Sequence, residues 1–445
     1  MNPDAQLEWF GENLVDRFES IPLDETWSFA ECSRSDTNKW THGYHRYPAK
    51  FIPQIVERLF DEYLENGEVS INDPFFGSGT TMVSAISRGY HASGTDVNEI
   101  AYLMTKVKST PIEPNYLERE VESFLNRIRV LGTPQETLLD SPVEPLIPEN
   151  NLERIDYWFE PENKILLGKI LRIINNQDDD RIRDFLLIGF SHILKNCSIW
   201  LQSSTKPTRD MDKSPRKPYP ALRRHLRKML RGNNEFYDVI PPNIRENPDS
   251  YLDIRVGDAR NQNVNDESVD LIVSSSPYVT SYEYADLHQL STIWLNFAED
   301  YRDYREEFIG TAYRDPEDRD LKSDIARKIV SDLRRESERT SEAVKIFFAD
   351  MDEVFEESYR ILKSGGRCCY VIGNTTLKGV DILNAQVFAE SVQHCGFELD
   401  RVIKRPIPTK ILPQTRDKET GQFTSREDAT AEAYPCEYIV IGLKG

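Results

Sequence analysis

The stretch VSINDPFFGSGTTMVSAISRGYHASGTDVN, residues 69–98, contains two short apolar runs with a glycine-rich turn and a helical pattern between them. The first run ends at Asp73 and the second ends at Asp96. Gly77 and Gly79 follow the first run, where the lack of a Cβ lets the backbone turn tightly and approach a ligand. A second helical pattern, NEIAYLMTKVKS, follows at once. This order of strands, turn and helices predicts the opening of a doubly wound parallel sheet.

The remaining strands of this sheet are expected after residue 250. YLDIRVGDAR (251–260), VDLIVSSS (269–276) and RCCYVIGN (367–374) have the apolar runs of buried strands. A helix is expected over 347–366, with a Gly-Gly pair as its stop, and another over 384–396. FELDRVIKRPI and CEYIVIGLKG predict two closing strands that pair as an antiparallel hairpin. The fold class is therefore α/β, with a mainly parallel, seven-stranded sheet.

The spacing of these strands predicts two insertions in the sheet domain. Residues 1–40 read as a helix (about 5–19) and an arm, residues 41–109 as the first half of the domain, and 251–445 as the second half. The 140 residues of 110–250 exceed an ordinary crossover and have mostly helical patterns. We therefore expect a largely helical inserted subdomain there, and a second, highly charged helical insertion at about 300–340.

Composition indicates a globular protein of the cytoplasm. Hydrophobic residues make up 39% of the 445 residues and charged residues 29%. The sequence has no run of 18 apolar residues, and its acidic beginning lacks the pattern of a signal peptide, so we expect no contact with membranes. The six cysteines form no CxxC pair and no zinc-ligand spacing with the seven histidines. No metal site is predicted.

The charge of the chain is unevenly distributed. The formal net charge is −20, yet residues 206–231 hold ten Lys and Arg against two Asp. A basic segment in an acidic chain is a candidate phosphate-binding surface, although a solvated helix face would have the same composition. Seven cations of the region are the candidate DNA contacts: Lys206, Arg209, Arg216, Lys217, Arg223, Arg224 and Arg227.

The glycine-rich turn and the second strand end together predict a nucleoside-type cofactor site. Asp96 ends the second strand, where a carboxylate can accept hydrogen bonds from both ribose hydroxyls. The sequence has no GxxxxGK[ST] motif, so a phosphate-binding P-loop is disfavoured. The turn also departs from GxGxxG, which makes a dinucleotide less suitable than a nucleoside without pyrophosphate.

Four segments together resemble the S-adenosylmethionine-dependent amino-methyltransferases of DNA, which methylate N4 of cytosine or N6 of adenine. They are HRYPAKF (45–51), DPFFGSGTT (73–81), GTDVN (94–98), and VGDAR followed by SVDLIVSSSPY (256–278). The resemblance implies a Rossmann-like methyltransferase sheet and S-adenosylmethionine as the cofactor. The cofactor-binding residues that it implies are Pro48, Ala49, Lys50, Phe51, Asp73, Phe75, Gly77, Gly79, Thr80, Thr81, Asp96, Asp258 and Ala259.

The same resemblance assigns the catalytic turn to Ser275, Ser276, Pro277 and Tyr278. Ser275 Oγ and the Ser276 carbonyl would accept the two hydrogens of the target amine, and Tyr278 would stack on a base flipped out of the duplex. The family pattern is [D/N/S]-P-P-Y, in which a serine at the first position goes with cytosine. Here Ser276 stands in place of the first proline. Ser274 is interpreted as the strand end.

The resemblance therefore implies a cytosine-N4 methyltransferase of duplex DNA, with 110–250 as the target-recognition region and a cognate restriction endonuclease as a candidate partner. Adenine-N6 methylation is the first alternative. Methylation of a guanine amine in tRNA is another, but it would call for an RNA-binding module before the sheet, for which 40 residues are too few. A silent DNA-binding regulator of the same fold is the alternative outside enzymes, and the intact site residues speak against it.

Overall fold

The structure is a computed structural model that describes residues 12–47, 51–65, 67–138, 142–204, 206–279, 284–298, 301–311, 313–314, 318–407, 415–416, 431–432 and 436–445. Its helices are α1 (Glu12–Ser20), α2 (Pro53–Tyr63), α3 (Thr80–Ser87), α4 (Glu99–Ser109), α5 (Pro114–Ile128), α6 (Leu152–Trp158), α7 (Pro161–Asn175), α8 (Asp180–Cys197), α9 (Pro218–Val239), α10 (Pro242–Glu246), α11 (Tyr284–Leu295), α12 (Tyr301–Glu306), α13 (Asp324–Glu336), α14 (Glu338–Ile361) and α15 (Asn384–His394). Its strands are β1 (Ser70–Asp73), β2 (His91–Asp96), β3 (Leu252–Val256), β4 (Val269–Ser275), β5 (Leu362–Ile372), β6 (Thr375–Leu377), β7 (Val380–Ile382), β8 (Glu398–Pro406), β9 (Thr415–Arg416), β10 (Ala431–Glu432) and β11 (Cys436–Leu443).

Seven of these strands form one twisted sheet in the order β3-β2-β1-β4-β5-β11-β8. The pairs among the first five strands are parallel, whereas β11 runs antiparallel to both β5 and β8. The predicted α/β class, the mainly parallel sheet and the closing antiparallel pair are therefore confirmed. The chain order reverses between β1 and β4, and this switch point leaves a crevice at the carboxyl ends of the two strands.

The central strands are apolar along their length because helices cover both faces of the sheet. Leu271 and Val273 of β4 pack with Ile71 of β1 in a core that α2 and α3 complete. Val269 and Ile272 face a second core, which α14 and α15 cover. Burial of both faces explains why these strands read as continuous apolar runs in the sequence.

The helix expected over 347–366 ends earlier than its glycine pair suggested. Helix α14 ends at Ile361, and β5 begins at Leu362, so both glycines lie inside the strand. A Cβ on Gly366 would come within 3.0 Å of the backbone oxygen of Asp270 in the neighbouring strand. The prediction of a Gly-Gly helix stop is wrong because close strand packing, not helix termination, requires the glycine.

The insertion over 110–250 contains α5 to α10, as the helical patterns predicted. Its apolar side chains share one hydrophobic core with α4 and α11 of the sheet domain. Met104 of α4 and Trp294 of α11 belong to this core, and Trp294 meets the rings of Phe159 and Phe190 edge-on. The inserted helices are therefore packed onto the sheet domain by a continuous apolar interface.

A cluster of four histidines lies within this interface. His45 precedes α2, His192 is on α8, His225 is on α9 and His288 is on α11. The rings of His192 and His225 stack with centroids 3.6 Å apart, and His45 contacts both His192 and His288. Burial lowers the pKa of His225 and of His288 to about 4, so both rings are neutral near pH 7.

The N-terminal arm packs against the edge of the sheet that is formed by β8. The Asp24 amide donates to the carbonyl of Lys404 in β8, and the Arg405 guanidinium donates to the carbonyl of Trp27. Trp27 is fully buried, with the Arg58 guanidinium over its ring. Of the predicted N-terminal helix, the part from residue 12 onward is described and is helical, and its first residues lie outside the described range. No helix in the described part of the chain combines the length and apolar character that a membrane span requires.

Candidate active site

A cleft opens at the carboxyl ends of β1, β2 and β4, where open α/β sheets bind ligands. The turns after these strands form its floor, and residues from the segment after α12 form one wall. Its lining residues are Tyr47, Phe51, Pro74, Phe75, Phe76, Gly77, Ser78, Thr80, Asp96, Val97, Gly257, Asp258, Ala259, Ser275, Pro277, Phe308 and Ile309.

The glycine-rich turn adopts backbone conformations that other residues rarely take. Gly77 has φ 46° and Gly79 has φ 75°, both in the left-handed region. A Cβ on Gly79 would lie 2.8 Å from Thr105 Oγ1, and one on Gly77 would lie 3.1 Å from the Tyr47 hydroxyl. The two glycines therefore let the turn pack against α4 and Tyr47 while its backbone faces the cleft.

Asp96 lies at the end of β2 and faces the cleft, as the sequence predicted. Its two carboxylate oxygens accept hydrogen bonds from the amides of Gly77 and Asn98, each at 2.9 Å. Burial raises the pKa of Asp96 to about 7, and the charge of Asp73 adds to this rise while the two amides oppose it. Near pH 7 this carboxyl group is about half ionised, and a ligand that donates hydrogen bonds to it favours the carboxylate.

Asp73 and Thr81, both predicted to contact the cofactor, are buried beneath the cleft rather than on its surface. Asp73 accepts hydrogen bonds from Ser274 Oγ at 2.6 Å and from the Phe75 amide at 3.0 Å. Thr81 Oγ1 donates to the carbonyl of Val273. Burial raises the pKa of Asp73 to about 6. These bonds join the turn after β1 to the end of β4, so the two residues order the site from below.

Ser274 is more than a strand end. Its hydroxyl is the donor to Asp73, and the side chain is fully buried. No local sequence pattern predicts this bond, because the two residues lie 201 positions apart. Parallel pairing of β1 with β4 brings them together, with Asn72 opposite Ile272.

Asp258 and Ala259 line the cleft beyond the end of β3. The Arg260 guanidinium donates to both oxygens of Asp258 and also to Asp350 on α14. Although burial favours the neutral acid, the hydrogen bonds from Arg260 lower the pKa of Asp258. Asp258 is thus ionised and fixed in orientation at this end of the cleft.

The predicted catalytic turn enters the same cleft. Ser275 and Pro277 line it, whereas the Ser276 side chain is buried and its hydroxyl makes a long bond, 3.4 Å, to the carbonyl of Val371. Tyr278 is half-buried, and a Cβ on Gly373 would lie 3.2 Å from its ring. The structure therefore brings the side chain of Ser275, but not that of Ser276, to the surface of the cleft.

Phe308 and Ile309 form a wall that the sequence analysis missed. They belong to the charged insertion, where the apolar pair stands within a run of acidic and basic residues. Tyr304 anchors this segment, because its ring meets Phe308 edge-on and its hydroxyl donates to Asn98 Oδ1 at 2.9 Å. The sequence did contain a signal for this wall, because two adjacent apolar residues in a highly charged segment are expected to be buried against another part of the protein.

Lys108 is a second residue that the sequence analysis missed. It is 1% exposed at the end of α4, and its Nζ donates to the carbonyl of Ser78 at 2.7 Å. A buried cation thus supports the glycine-rich turn from below. Its place in the last turn of a helix is ordinary for a lysine, so only the tertiary structure reveals the contact.

Of the segment predicted to close over the cofactor, Phe51 lines the cleft. Pro48, Ala49 and Lys50 lie outside the described residues. In the part of the chain that the structure describes, no group of three or more His, Cys, Asp or Glu is arranged to hold a metal ion.

The seven predicted DNA contacts are all exposed on the inserted helices and the loop before α9. They differ in their pairing. Lys217 Nζ lies 2.6 Å from Glu162, Arg227 lies 3.6 Å from Glu122, and Arg209 lies over the ring of Tyr157. The charges of Lys217 and Arg227 are therefore partly neutralised within the protein.

Comparisons with known proteins show what the chain is similar to. A family model of DNA methylases, of the N6/N4 type, matches residues 13–106. The type II methyltransferase M.MvaI of Kocuria varians is 25% identical over 422 residues, covering 90% of this chain and 91% of its own. M.BsoBI of Geobacillus stearothermophilus, also a type II methyltransferase, is 22% identical over 95% and 92% of the two chains. A DNA modification methylase of Thermus thermophilus, solved with S-adenosyl-L-methionine, is 17% identical over 42% and 53%, with a TM-score of 0.22.

Proposed function

The chain belongs to the family of S-adenosylmethionine-dependent DNA amino-methyltransferases, and on that premise we propose that it methylates N4 of cytosine in duplex DNA. One observation carries the proposal. The 2.6 Å bond from Ser274 to Asp73 joins the catalytic turn to the glycine-rich turn, so Ser275 and Gly77 line one cleft. A serine at the first position of the catalytic turn favours cytosine within the family.

The residues of the cleft fit S-adenosylmethionine. Asp96 can accept from ribose hydroxyls, and Phe75 and Ala259 offer apolar contacts at the end where Asp258 is fixed. At the other end, Gly77 and Ser78 line the cleft, and a Cβ on Gly77 would lie 3.1 Å from the Tyr47 hydroxyl. The proposed contacts from sequence are thus divided between residues that line the cleft and buried residues that order it.

The protein's part in the reaction is to position and activate the target amine. S-adenosylmethionine supplies an activated methyl group on a sulfonium sulfur. The lone pair of a cytosine amine is conjugated with the ring, which makes the nitrogen a poor nucleophile. Ser275 Oγ and the Ser276 carbonyl accept its two hydrogens and pull the nitrogen toward tetrahedral geometry, and Tyr278 stacks on the flipped base. Catalysis then rests on orientation and on fixed dipoles.

Recognition of the DNA is assigned to the inserted helices over 110–250. They carry the basic segment of an otherwise acidic chain, and they pack beside α11, the first helix after the catalytic turn. Relatives named type II methyltransferases support a place in a restriction-modification system, with a cognate endonuclease as the functional counterpart.

The proposal is tested by expressing the chain in a host without DNA methylation and sequencing the genomic DNA at base resolution. We expect N4-methylcytosine in one short sequence context. A Ser275→Ala variant, expressed at the same level, serves as the control and should leave the genome nearly unmodified. N6-methyladenine would overturn the cytosine assignment, and methylation of RNA alone would overturn duplex DNA as the substrate.

A further inference from the structure

Seven cations from separate segments meet where the arm, α8 and α9 come together, and we call them the junction surface. Arg34 belongs to the arm, Arg46 to the segment between the arm and α2, and the others to the insertion. The junction surface consists of Arg34, Arg46, Lys195, Lys213, Arg216, Lys228 and Arg231. Five of them are exposed, and Lys195 and Lys213 are half-buried.

Asn196, at the end of α8, organises the centre of this surface. Its side-chain oxygen accepts from the Arg46 guanidinium at 3.3 Å, and its backbone oxygen accepts from the Arg216 amide at 2.9 Å. Lys213 Nζ donates to the carbonyl of Lys195 at 2.8 Å, and Lys228 Nζ donates to that of Gly43 at 3.3 Å. Backbone and amide oxygens therefore hold the cations in place.

The junction cations have no ion-pair partner within the described part of the chain, although the charge of Asp210 opposes the lowering of the pKa of Lys213. None of the seven forms an ion pair there, although most other arginines and lysines of this acidic protein do. Burial, together with the charges of Arg46 and Lys213, lowers the pKa of Lys195 to about 8. Burial and the charges of Arg34, Arg231 and Arg46 likewise lower the pKa of Lys228. Like charges held together without close ion pairs favour an external anion.

The position of the junction surface identifies the anion. Arg46 immediately precedes Tyr47, which lines the cofactor cleft, so the backbone of one cation of the surface continues into the wall of the cleft. Two elements that carry its cations, α8 and α9, also carry His192 and His225, which connect through His45 to α11 after the catalytic turn. A polyanion that reaches the cleft would therefore cross this surface.

We propose that the junction surface binds the phosphodiester backbone of duplex DNA beside the target base. This inference rests on the proposed function and relocates its DNA contacts. Of the seven cations predicted from sequence, Arg216 belongs to the surface, whereas Lys217 and Arg227 are engaged by carboxylates. Two further cations of the surface, Arg34 and Arg46, lie far from the basic segment 206–231 in sequence, so the charge distribution did not identify them.

Two neighbouring pairs of residues provide a matched test. Arg216 and Lys228 lie in the junction surface, and each has an ion-paired cation as its chain neighbour, Lys217 or Arg227. The variants R216Q/K228Q and K217Q/R227Q remove equal charge from the same two segments. Binding to a duplex that contains the methylation site is measured from about 50 to 200 mM salt, a range over which phosphate contacts weaken strongly.

We expect R216Q/K228Q to lose at least about tenfold in affinity at the lower salt concentration, and the slope of log K against log salt to fall by about 2. K217Q/R227Q should change affinity by less than about threefold, because each charge is already paired. S-adenosylmethionine affinity and the unfolding temperature should match wild type in both variants.

Equal losses in the two variants, with methylation by wild type intact, would overturn the junction surface and leave the proposed function standing. Absence of duplex-DNA binding by the wild-type chain would overturn both. Binding of RNA instead of duplex DNA, lost only in R216Q/K228Q, would also overturn the assignment to the DNA backbone.

Discussion

The turns after β1 and β4 lie side by side at one edge of the sheet, yet they use different parts of their residues. The glycine-rich turn presents backbone to the cleft, and its side chains Asp73 and Thr81 point into the protein. The catalytic turn presents the side chain of Ser275, with Tyr278 half-buried beside it. The glycine-rich turn therefore shapes the cofactor cleft with its backbone, whereas the catalytic turn supplies side chains for the reaction.

This difference predicts that substitutions in the two turns have different effects. Substitution in the glycine-rich turn should affect stability and cofactor affinity, because it disturbs the backbone. Substitution in the catalytic turn should affect turnover while the cofactor still binds. The four predictions that follow test this division, from the largest expected effect to the smallest.

Tyr278→Ala should lower kcat/KM for methylation of duplex DNA by about 100-fold, since loss of base stacking costs about 1–3 kcal/mol per base. S-adenosylmethionine affinity, measured by calorimetry, should remain within about twofold of wild type. Tyr278→Phe keeps the ring and should retain most of the activity. Equal losses of cofactor affinity and turnover in Tyr278→Ala would place the ring in the cofactor site.

Gly79→Ala should weaken S-adenosylmethionine binding by at least about tenfold and lower the free energy of unfolding by about 1–3 kcal/mol. The new Cβ would clash with Thr105, and φ of 75° is strained for alanine. Gly365 is the matched control, because it has φ of 79° with open space around it. Gly365→Ala should show the strain in thermal unfolding without loss of cofactor affinity; equal cofactor losses in both would contradict a special fit at Gly79.

The affinity for S-adenosylmethionine should rise with pH through the pKa of Asp96, about 7 in the free protein. Below this pH the carboxyl is protonated, and binding to ribose hydroxyls favours the carboxylate, so protons must leave as the ligand binds. Affinity should increase about tenfold from pH 6 to 8, as the ionised fraction does. Calorimetric titrations across this range test the rise, and Asp96→Asn should bind weakly with a flat profile. A wild-type profile as flat as that of the variant would exclude ionisation of Asp96 as the cause.

Ser276→Ala should leave kcat within about twofold of wild type, because its hydroxyl makes one long bond and its carbonyl is unaffected by the change. Ser275→Ala removes an acceptor that faces the cleft and should reduce kcat by a far larger factor. Single-turnover rates of the two variants measure the contrast. A larger loss in Ser276→Ala would reverse the assignment of the two serines.

The sheet and both turns could be predicted from sequence because they depend on local patterns. The apolar runs that end at Asp73, at Asp96 and at Ser275 each mark a strand, and parallel strands bring their carboxyl ends to one edge. The resemblance to DNA amino-methyltransferases then supplied roles for residues that a strand pattern alone leaves unassigned.

The remaining features depend on contacts between distant segments. In the sequence, Lys108 is an ordinary lysine in the last turn of a helix. Its hydrogen bond to the Ser78 carbonyl forms only because α4 packs under the glycine-rich turn. The role of Phe308 was not predicted because the residues around it in sequence are mostly charged. The predicted glycine stop failed for the same reason, since the neighbour that requires Gly366 lies 96 residues earlier, in β4.

The shared core of the insertion and the sheet domain has a consequence for protein engineering. An exchange of residues 110–250 for the corresponding region of a relative would leave Met104, Ile293 and Trp294 without the side chains that cover them. Truncation of such a core side chain costs about 2–5 kcal/mol, so a chimera joined at these boundaries would fold poorly. New sequence specificity is better sought by altering exposed residues of the inserted helices, or by transplanting α4 and α11 together with them.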